Sequence, residues 1–339
     1  MPTAALPTHH REIHKVSRPD VTPTPDNFRL VEVPVPVPGP GQLLVRNRLM
    51  SVMAGMSSLM RGGDGLPLPP YEVDAPLWGP ALGEVVDAPG PGATARPGDL
   101  VTHFAGWREY AVVDAADATP VDAGALPDPA AYLSQGFTAW AGVEAAGVRP
   151  GDTVFISGAA GGIGVLAGQF ARLRGAKRLV GSVGSQRRAQ FLTEELGYDA
   201  VVLRGGGSFE RRLRAAAPDG IDAVIDNVGG EQLAAALAIA RPGARFSLVG
   251  VLAAQMTGGL ASPVEVDTAA LVMRGISLRG LRLDDHADAH ERWLDEFGRA
   301  LREGTVVLPH SRLSGIERAP QALCELPAGR HIGSVLVEL

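Results

Sequence analysis

The feature that most constrains this chain is Ser157-Gly-Ala-Ala-Gly-Gly-Ile-Gly164, which closes the apolar run Thr153–Ser157 and opens a segment of helical pattern, Gly162–Arg174. Strand, tight glycine turn and helix in that order begin a dinucleotide-binding unit. Small residues at 159–161 let backbone N–H groups approach a pyrophosphate, and Gly164 lets the helix pack on the strand. Ala160, Gly161, Gly162, Ile163 and Gly164 are therefore candidate cofactor contacts.

The same texture continues. Apolar runs at Arg178–Val183, Ala200–Leu203, Ile221–Asp226 and Ala244–Val249 read as strands. Between them lie helical segments at Gln186–Leu196, Ser208–Ala217 and Glu231–Ala240. Arg172 and Arg174 suit a helix C-terminus, Gly175 and Gly197 suit helix closure, and Ser208 suits an N-cap. Such alternation predicts a doubly wound parallel sheet. The first 125 or so residues are instead dense in proline and glycine, with short apolar runs at Leu43–Arg46, Gly83–Val86, Leu100–Thr102 and Glu109–Val113. Strand-like texture returns at the end, in Ser334–Glu338. The expectation is an α/β protein with a mostly-β domain at 1–126, completed by 303–339, and a parallel-sheet domain at 127–302. Arg96-Pro-Gly-Asp99 and Arg149-Pro-Gly-Asp152 read as two type II turns rather than a duplication.

The second strand of the sheet discriminates between cofactors. An acid at its end would bind ribose hydroxyls. This one ends Ser182-Val-Gly-Ser-Gln-Arg-Arg188, with no acid and two arginines. Guanidinium forks suit a ribose phosphate, Gly184 leaves room for it beside the further cofactor candidate Ser185, and Arg204 ends the next strand. NADP(H) is expected over NAD(H).

Composition removes several alternatives. A length of 339 residues, 45% hydrophobic and 20% charged, fits two globular domains. A net charge of −6 argues against a nucleic-acid surface. The single cysteine, Cys324, excludes an intrachain disulfide and any Cys-cluster metal site. His286 and His290 sit at i and i+4 but lack a third-ligand motif, so no metal is expected. The lysines Lys15 and Lys177 leave Schiff-base chemistry little room. The first 27 residues lack an apolar signal region, and the uncharged run Thr153–Ala171 carries glycines that break it into strand, turn and helix. A soluble cytoplasmic protein without a membrane partner is the expectation.

Arg18-Pro-Asp-Val-Thr-Pro-Thr-Pro-Asp-Asn-Phe-Arg-Leu-Val-Glu-Val-Pro34 and Pro40-Gly-Gln-Leu-Leu-Val-Arg-Asn47 resemble the opening of the prostaglandin reductase / alkenal double-bond reductase group. That group belongs to the zinc-independent medium-chain dehydrogenase/reductase superfamily. The resemblance continues through Gly106-Trp-Arg-Glu-Tyr-Ala-Val-Val-Asp114, Gly136-Phe-Thr-Ala-Trp140, Glu195-Leu-Gly-Tyr-Asp199 and Pro218-Asp-Gly-Ile-Asp-Ala-Val-Ile-Asp-Asn-Val-Gly-Gly230. It implies a GroES-like catalytic domain, a Rossmann NADPH-binding domain, a homodimer, and an active site in the interdomain cleft. By position, Arg188 replaces a lysine for the ribose phosphate and Arg204 a tyrosine. Asn227 matches a cofactor-contacting asparagine, Thr138 lies near the nicotinamide ribose, and His331 replaces another cofactor-binding asparagine. Gly250, Val251 and Leu281 complete the candidate cofactor set.

Two departures concern the acid. The family's early tyrosine becomes Gly55 within Met53-Ala-Gly-Met-Ser57, and its later tyrosine falls in Val251-Leu-Ala-Ala-Gln-Met256 with Gln255 as the equivalent. Gln255 is thus the catalytic candidate, beside a ribose hydroxyl positioned by Thr138, or water. An amide donates a hydrogen bond but is no useful acid near neutral pH. Met53, Met56, Tyr71 and Trp140 are candidate pocket residues, although Met50, Met53, Met56 and Met60 suit core packing equally. Tyr71 and His103 are lone acids with a structural role as the stronger reading. The implied activity is NADPH-dependent reduction of a carbon–carbon double bond conjugated to a carbonyl in a small molecule, as an enone, enal or enoyl thioester. Quinone reduction, alcohol oxidation, an isomerisation or cyclisation, and non-catalytic NADPH binding are the alternatives.

Overall fold

The computed structural model describes residues 6–63, 65–90, 95–122 and 124–339. Contacts divide the chain into two units, Met1–Ser134 with Ser311–Arg330 and Val335–Leu339, and Gln135–His310 with His331–Ser334.

In the first unit, β1 (His9–Lys15) pairs antiparallel with β2 (Phe28–Pro34). The long β3 (Gln42–Val52) organises the main sheet, followed by α1 (Gly55–Arg61), β4 (Ala81–Asp87), β5 (Leu100–His103), β6 (Tyr110–Asp114) and β7 (Thr119–Pro120). Its first half pairs with β6 and its second half with the C-terminal strand, so one strand serves two partners along the same edge. Leu43, Val45, Val85, Val101 and Val113 fill one small core. Met50, Met56, Met60, Tyr71 and Trp107 fill another.

The second unit runs α2 (Gly136–Ala145), β8 (Thr153–Ile156), α3 (Gly164–Leu173), β9 (Arg178–Val183), α4 (Gln186–Glu194), β10 (Ala200–Leu203), α5 (Phe209–Ala216), β11 (Ile221–Asp226) and α6 (Gly230–Ala238). It continues with β12 (Ala240–Leu248), α7 (Leu252–Met256), α8 (Thr268–Arg274), β13 (Ser277–Gly280) and α9 (His290–Glu303). All six strands are parallel, in the order β10-β9-β8-β11-β12-β13. The order reverses at β8/β11, where such sheets bind ligands beyond the strand C-termini. Phe155, Phe209, Leu213, Val224 and Phe246 pack together in one cluster. The packing of α2, α3 and α9 includes an ion network: Arg174 donates to Glu144 (2.8 Å) and to Glu296 (2.5 and 2.8 Å).

The tail comprises β14 (His310–Ser314), α10 (Ala319–Glu325) and β15 (Ser334–Glu338). β15 pairs with β3 from Val335↔Val52 to Glu338↔Leu49, so the tail does return to the first sheet. The unit boundaries lie at 134/135 and 310/311, later than the pattern suggested at 126/127 and 302/303. The turn Pro129–Leu133 packs against β3 and β4. Val307 stays with the second unit because its N–H donates to Gln169 Oε1 (2.7 Å) and its carbonyl accepts from Gln169 Nε2 (3.0 Å).

Both Arg-Pro-Gly-Asp turns use one device. The arginine N–H donates to the aspartate carboxylate at 2.8 Å, and the glycine has φ of +98° at Gly98 and +91° at Gly151. That is type II turn geometry. Among the described residues, no helix is long and apolar enough to cross a membrane.

Candidate dinucleotide site

The glycine turn links β8 to α3. A Cβ at Gly164 would lie 2.5 Å from the Ala159 Cα, so any side chain there would drive the helix off the strand. The turn is held from β9: Gly158 N–H donates to Ser182 Oγ (3.0 Å) and Ala159 N–H to Ser182 O (2.9 Å). Ala160 O accepts from Gly333 N–H (3.0 Å). Gly162 and Ile163, just before α3, offer amide N–H groups with no acceptor among the described residues, and Gly162 is buried. Unpaired donors at a helix N-terminus favour an anion.

The far end of the crevice is cationic. Ser185 is the N-cap residue of α4, and Arg187 and Arg188 occupy its first turn, where the helix dipole disfavours cations. Arg188 Nη2 donates to the His331 carbonyl, which places His331 at this end. Burial, then the charges of Arg204 and Arg187, push the Arg188 pKa below the usual arginine range. The Arg204 guanidinium lies against Gly184, where a Cβ would sit 2.6 Å from Nη2. Neither Arg188 nor Arg204 has a carboxylate partner among the described residues. A ribose phosphate would supply the missing negative charge and bidentate acceptors.

Across β8 from this cluster, Asn227 follows β11. Its Nδ2 donates to Ser157 O (2.8 Å), while its Oδ1 is buried without a partner. Gly250 packs on Asn227, since a Cβ there would lie 2.8 Å from the Asn227 carbonyl. Val251 precedes α7, whose Leu252 N–H donates to Asn227 O (3.1 Å). Gln255 is half-buried on α7, and its side chain has no hydrogen bond among the described residues. Leu281 follows β13, with its N–H on Leu248 O (2.9 Å). Thr138 is half-buried on α2, one turn before Gly142, which faces Val249, Ile225 and Leu281. Orphaned donors, an orphaned acceptor and unpaired cations thus follow the C-terminal ends of neighbouring strands, and they fit a phosphorylated dinucleotide.

Sequence reasoning missed the supports of this crevice. Ser182 also donates to Gln232 (2.5 Å), Ser157 to Asp226 (2.6 Å), and Gln135 lies over Gly162, where a Cβ would meet its Oε1 at 2.0 Å. Ser157 and Ser182 carry a readable signal, being polar residues within or at the end of apolar strands.

Of the candidate pocket residues, Trp140 belongs to the second unit and Met53, Met56 and Tyr71 to the first. Trp140 has no exposed surface; its indole N–H donates to Glu296 (3.0 Å), and Arg292 lies 4.7 Å from its ring. Met56 and Tyr71 are buried in the first unit's core, and Met53 packs against it. The Tyr71 hydroxyl donates to Trp78 O (2.7 Å), and burial pushes its pKa up. His103 Nδ1 accepts from Ala105 N–H (3.0 Å), and burial, aided by Arg108, lowers its pKa to about 4. Neither is poised as an acid near neutral pH. His290 packs against Phe137 and Trp293.

The chain matches two family models, one described as the N-terminal domain of oxidoreductase over residues 11–121, the other as zinc-binding dehydrogenase over 162–297. Despite the second description, no group of three or more His, Cys, Asp or Glu that could hold a metal ion occurs among the described residues. An NADPH-dependent curcumin reductase of Escherichia coli is 29% identical over 95% of both chains. The 2-alkenal reductase (NADP⁺-dependent) of Nicotiana tabacum is 29% identical over 87% of this chain and 86% of its own. The crystal structure of CurA from Vibrio vulnificus in complex with NADPH superposes with a TM-score of 0.86 at 26% identity, covering 97% of this chain and 98% of that one. Fold and matches together define a medium-chain dehydrogenase/reductase, with a GroES-like mostly-β unit and a Rossmann unit. Within that superfamily the chain is similar to NADPH-dependent reductases.

Proposed function

We propose that this protein is an NADPH-dependent reductase of a carbon–carbon double bond conjugated to the carbonyl of a small molecule. The observation that carries the reading is the Arg188–Arg204 cluster beyond β9 and β10, without an acid, beside a glycine turn with unpaired amides. The 2-alkenal and curcumin reductases among the relatives support the substrate class.

Arg188 and Arg204 would hold the ribose phosphate, the Gly162 and Ile163 amides the pyrophosphate, and Asn227 Oδ1 a hydroxyl or amide donor. When bound, NADPH supplies a hydride for the substrate's β-carbon, and the carbonyl oxygen takes up negative charge as an enolate. The chain's part is to hold donors near that oxygen. Gln255, with an uncommitted amide on α7, is the proposed donor; it stabilises charge without supplying a proton. The Tyr71 hydroxyl is spent on Trp78 O and burial keeps the His103 ring neutral, so the α-carbon proton comes from solvent or a cofactor hydroxyl positioned by Thr138.

The test offers purified protein and NADPH a 2-alkenal, an enone, an enoyl thioester and a quinone, and offers NADP⁺ with an alcohol. The expected result is NADPH loss with the first three, and a product saturated at the double bond with its carbonyl intact. Turnover only with quinone or alcohol, product isomerised without NADPH loss, or tight NADPH binding without turnover would each overturn the reading.

We also propose a homodimer across the outer edge of β13. That edge ends the sheet, and the neighbouring α8 exposes Val272 (78%) and Met273 (84%). Unpaired strand edges flanked by apolar surface invite pairing with a second copy. Sedimentation should give twice the chain mass, and Met273→Glu should lower it; a monomeric wild type refutes the interface.

A further inference from the structure

The polar groups beneath Asn227 form a relay with only one outward end. Ser157 and Asp226 have essentially no exposed surface, at 0% and 1%. The Ser157 hydroxyl donates to Asp226 Oδ1 (2.6 Å), and the carboxylate also accepts from the N–H of Val228 (3.3 Å) and of Gly229 (2.9 Å). A carboxylate so surrounded is an acceptor, which commits the serine proton to it. The Ser157 oxygen is then left to accept, and it takes the Asn227 backbone N–H at 2.8 Å.

Asn227 is held at two further points. Its Nδ2 donates to Ser157 O, and its carbonyl accepts from Leu252 N–H. The Nδ2 bond to a carbonyl fixes the amide orientation, because the alternative would set oxygen against oxygen. Oδ1 is the remaining group, buried and without a partner among the described residues. Asn227 lies on the side of β8 opposite the arginines, since Arg188 and Arg204 follow β9 and β10 while Asn227 follows β11.

We infer that Ser157 and Asp226 are positioning residues that orient Asn227 to accept a hydrogen bond from the nicotinamide half of the cofactor. The inference rests on the proposed NADPH reading and assigns roles to residues that touch no ligand themselves. Asp226→Asn is nearly isosteric, but its amide can donate to the Ser157 oxygen and leave the serine proton without an acceptor. Ser157→Ala removes the hydroxyl and the acceptor for the Asn227 N–H.

The test compares two probes by titration calorimetry. NADPH spans the whole crevice, whereas adenosine 2′,5′-bisphosphate carries only the phosphate half. Both variants should weaken NADPH about tenfold and leave the bisphosphate within about twofold of wild type. Asn227→Ala should show the same split, and Ser157→Ala combined with Asn227→Ala should be no worse than Asn227→Ala alone. Equal loss of both probes would mean a general collapse of the turn, and unchanged NADPH affinity would mean no orientation; either result overturns the inference. If Asp226→Asn does not fold, Ser157→Ala decides alone. Failure of the wild type to bind NADPH would instead sink the functional reading on which this stands.

Discussion

Two sets of buried or half-buried polar side chains divide this molecule by what their polar atoms face. In the first unit, Tyr71 and His103 turn inward: the phenol donates to Trp78 O, and the imidazole accepts from Ala105 N–H. In the second, Arg188 and Asn227 are as firmly held, by His331 O and by Ser157, yet a cation and an acceptor are left uncompensated. Burial alone therefore does not mark a functional site. Buried polar groups are ordinarily satisfied, so the informative groups are those whose missing partners are complementary to one ligand. Donors at 162–163, cations at 188 and 204, and an acceptor at 227 match one dinucleotide; the phenol is paired within its own loop, and the imidazole keeps a single buried nitrogen, Nε2, without a partner among the described residues.

The largest expected effect concerns His103. Its folded pKa of about 4 lies below the ordinary 6.5, chiefly because burial disfavours the charged ring and secondarily because Arg108 is near. The unfolded chain then binds more protons between these values, so stability is full above pH 6.5 and is lost as pH falls toward 4. The loss attributable to this one ring reaches about 3 kcal/mol across the window. Urea unfolding at neutral pH and near pH 4.5 measures it. His103→Asn, which keeps an acceptor for Ala105 N–H, should flatten the slope without abolishing it, because His10 and His290 are lowered in the same direction. An unchanged slope in the variant would break the contrast by showing His103 to be protonated when folded.

Arg188→Ala probes the other side of the comparison. Removing a charge-assisted contact to a phosphate should weaken NADPH about fiftyfold and leave NADH nearly unaffected, the cofactors differing only in that group. Direct titration of both nucleotides reads this. Equal weakening would mean that Arg188 serves the fold through His331 rather than the phosphate.

The two units also differ in how far their sequences reveal them. In the second, β9, β10 and β11 lie where the apolar runs placed them, because parallel strands buried on both faces are continuous apolar stretches. β12 begins earlier than its pattern, at Ala240, because Ile221↔Ala240 pairing carries it through Arg241-Pro-Gly243. In the first unit, β1 is His-His-Arg-Glu-Ile-His-Lys, too polar to show as a strand; its register comes from pairing with β2. β3 was visible only at Leu43–Arg46, since Asn47 and Arg48 interrupt the run at a register shift against β4. The glycines and arginines of the crevice were legible because a phosphate demands particular residue types. The Ser157–Asp226 relay was not, because it depends on β8 and β11 being neighbours 69 residues apart.

Gln255 gives the smallest effect and sharpens the comparison most, because it asks whether the reaction uses any side-chain donor of its own. Unlike Tyr71 and His103, its amide is uncommitted, and it lies on the helix that begins two residues after Gly250. If it donates to the enolate oxygen, Gln255→Ala should lower kcat about fivefold with NADPH affinity unchanged, the cost of one neutral hydrogen bond. Gln255→Glu should be slower still, since a carboxylate places negative charge where negative charge develops. Gln255→Ala should not shift the pH–rate profile, because the amide it removes has no proton to lose in that range. Rates equal to wild type in both variants would remove Gln255 from the site and leave stabilisation of the enolate to solvent and cofactor groups.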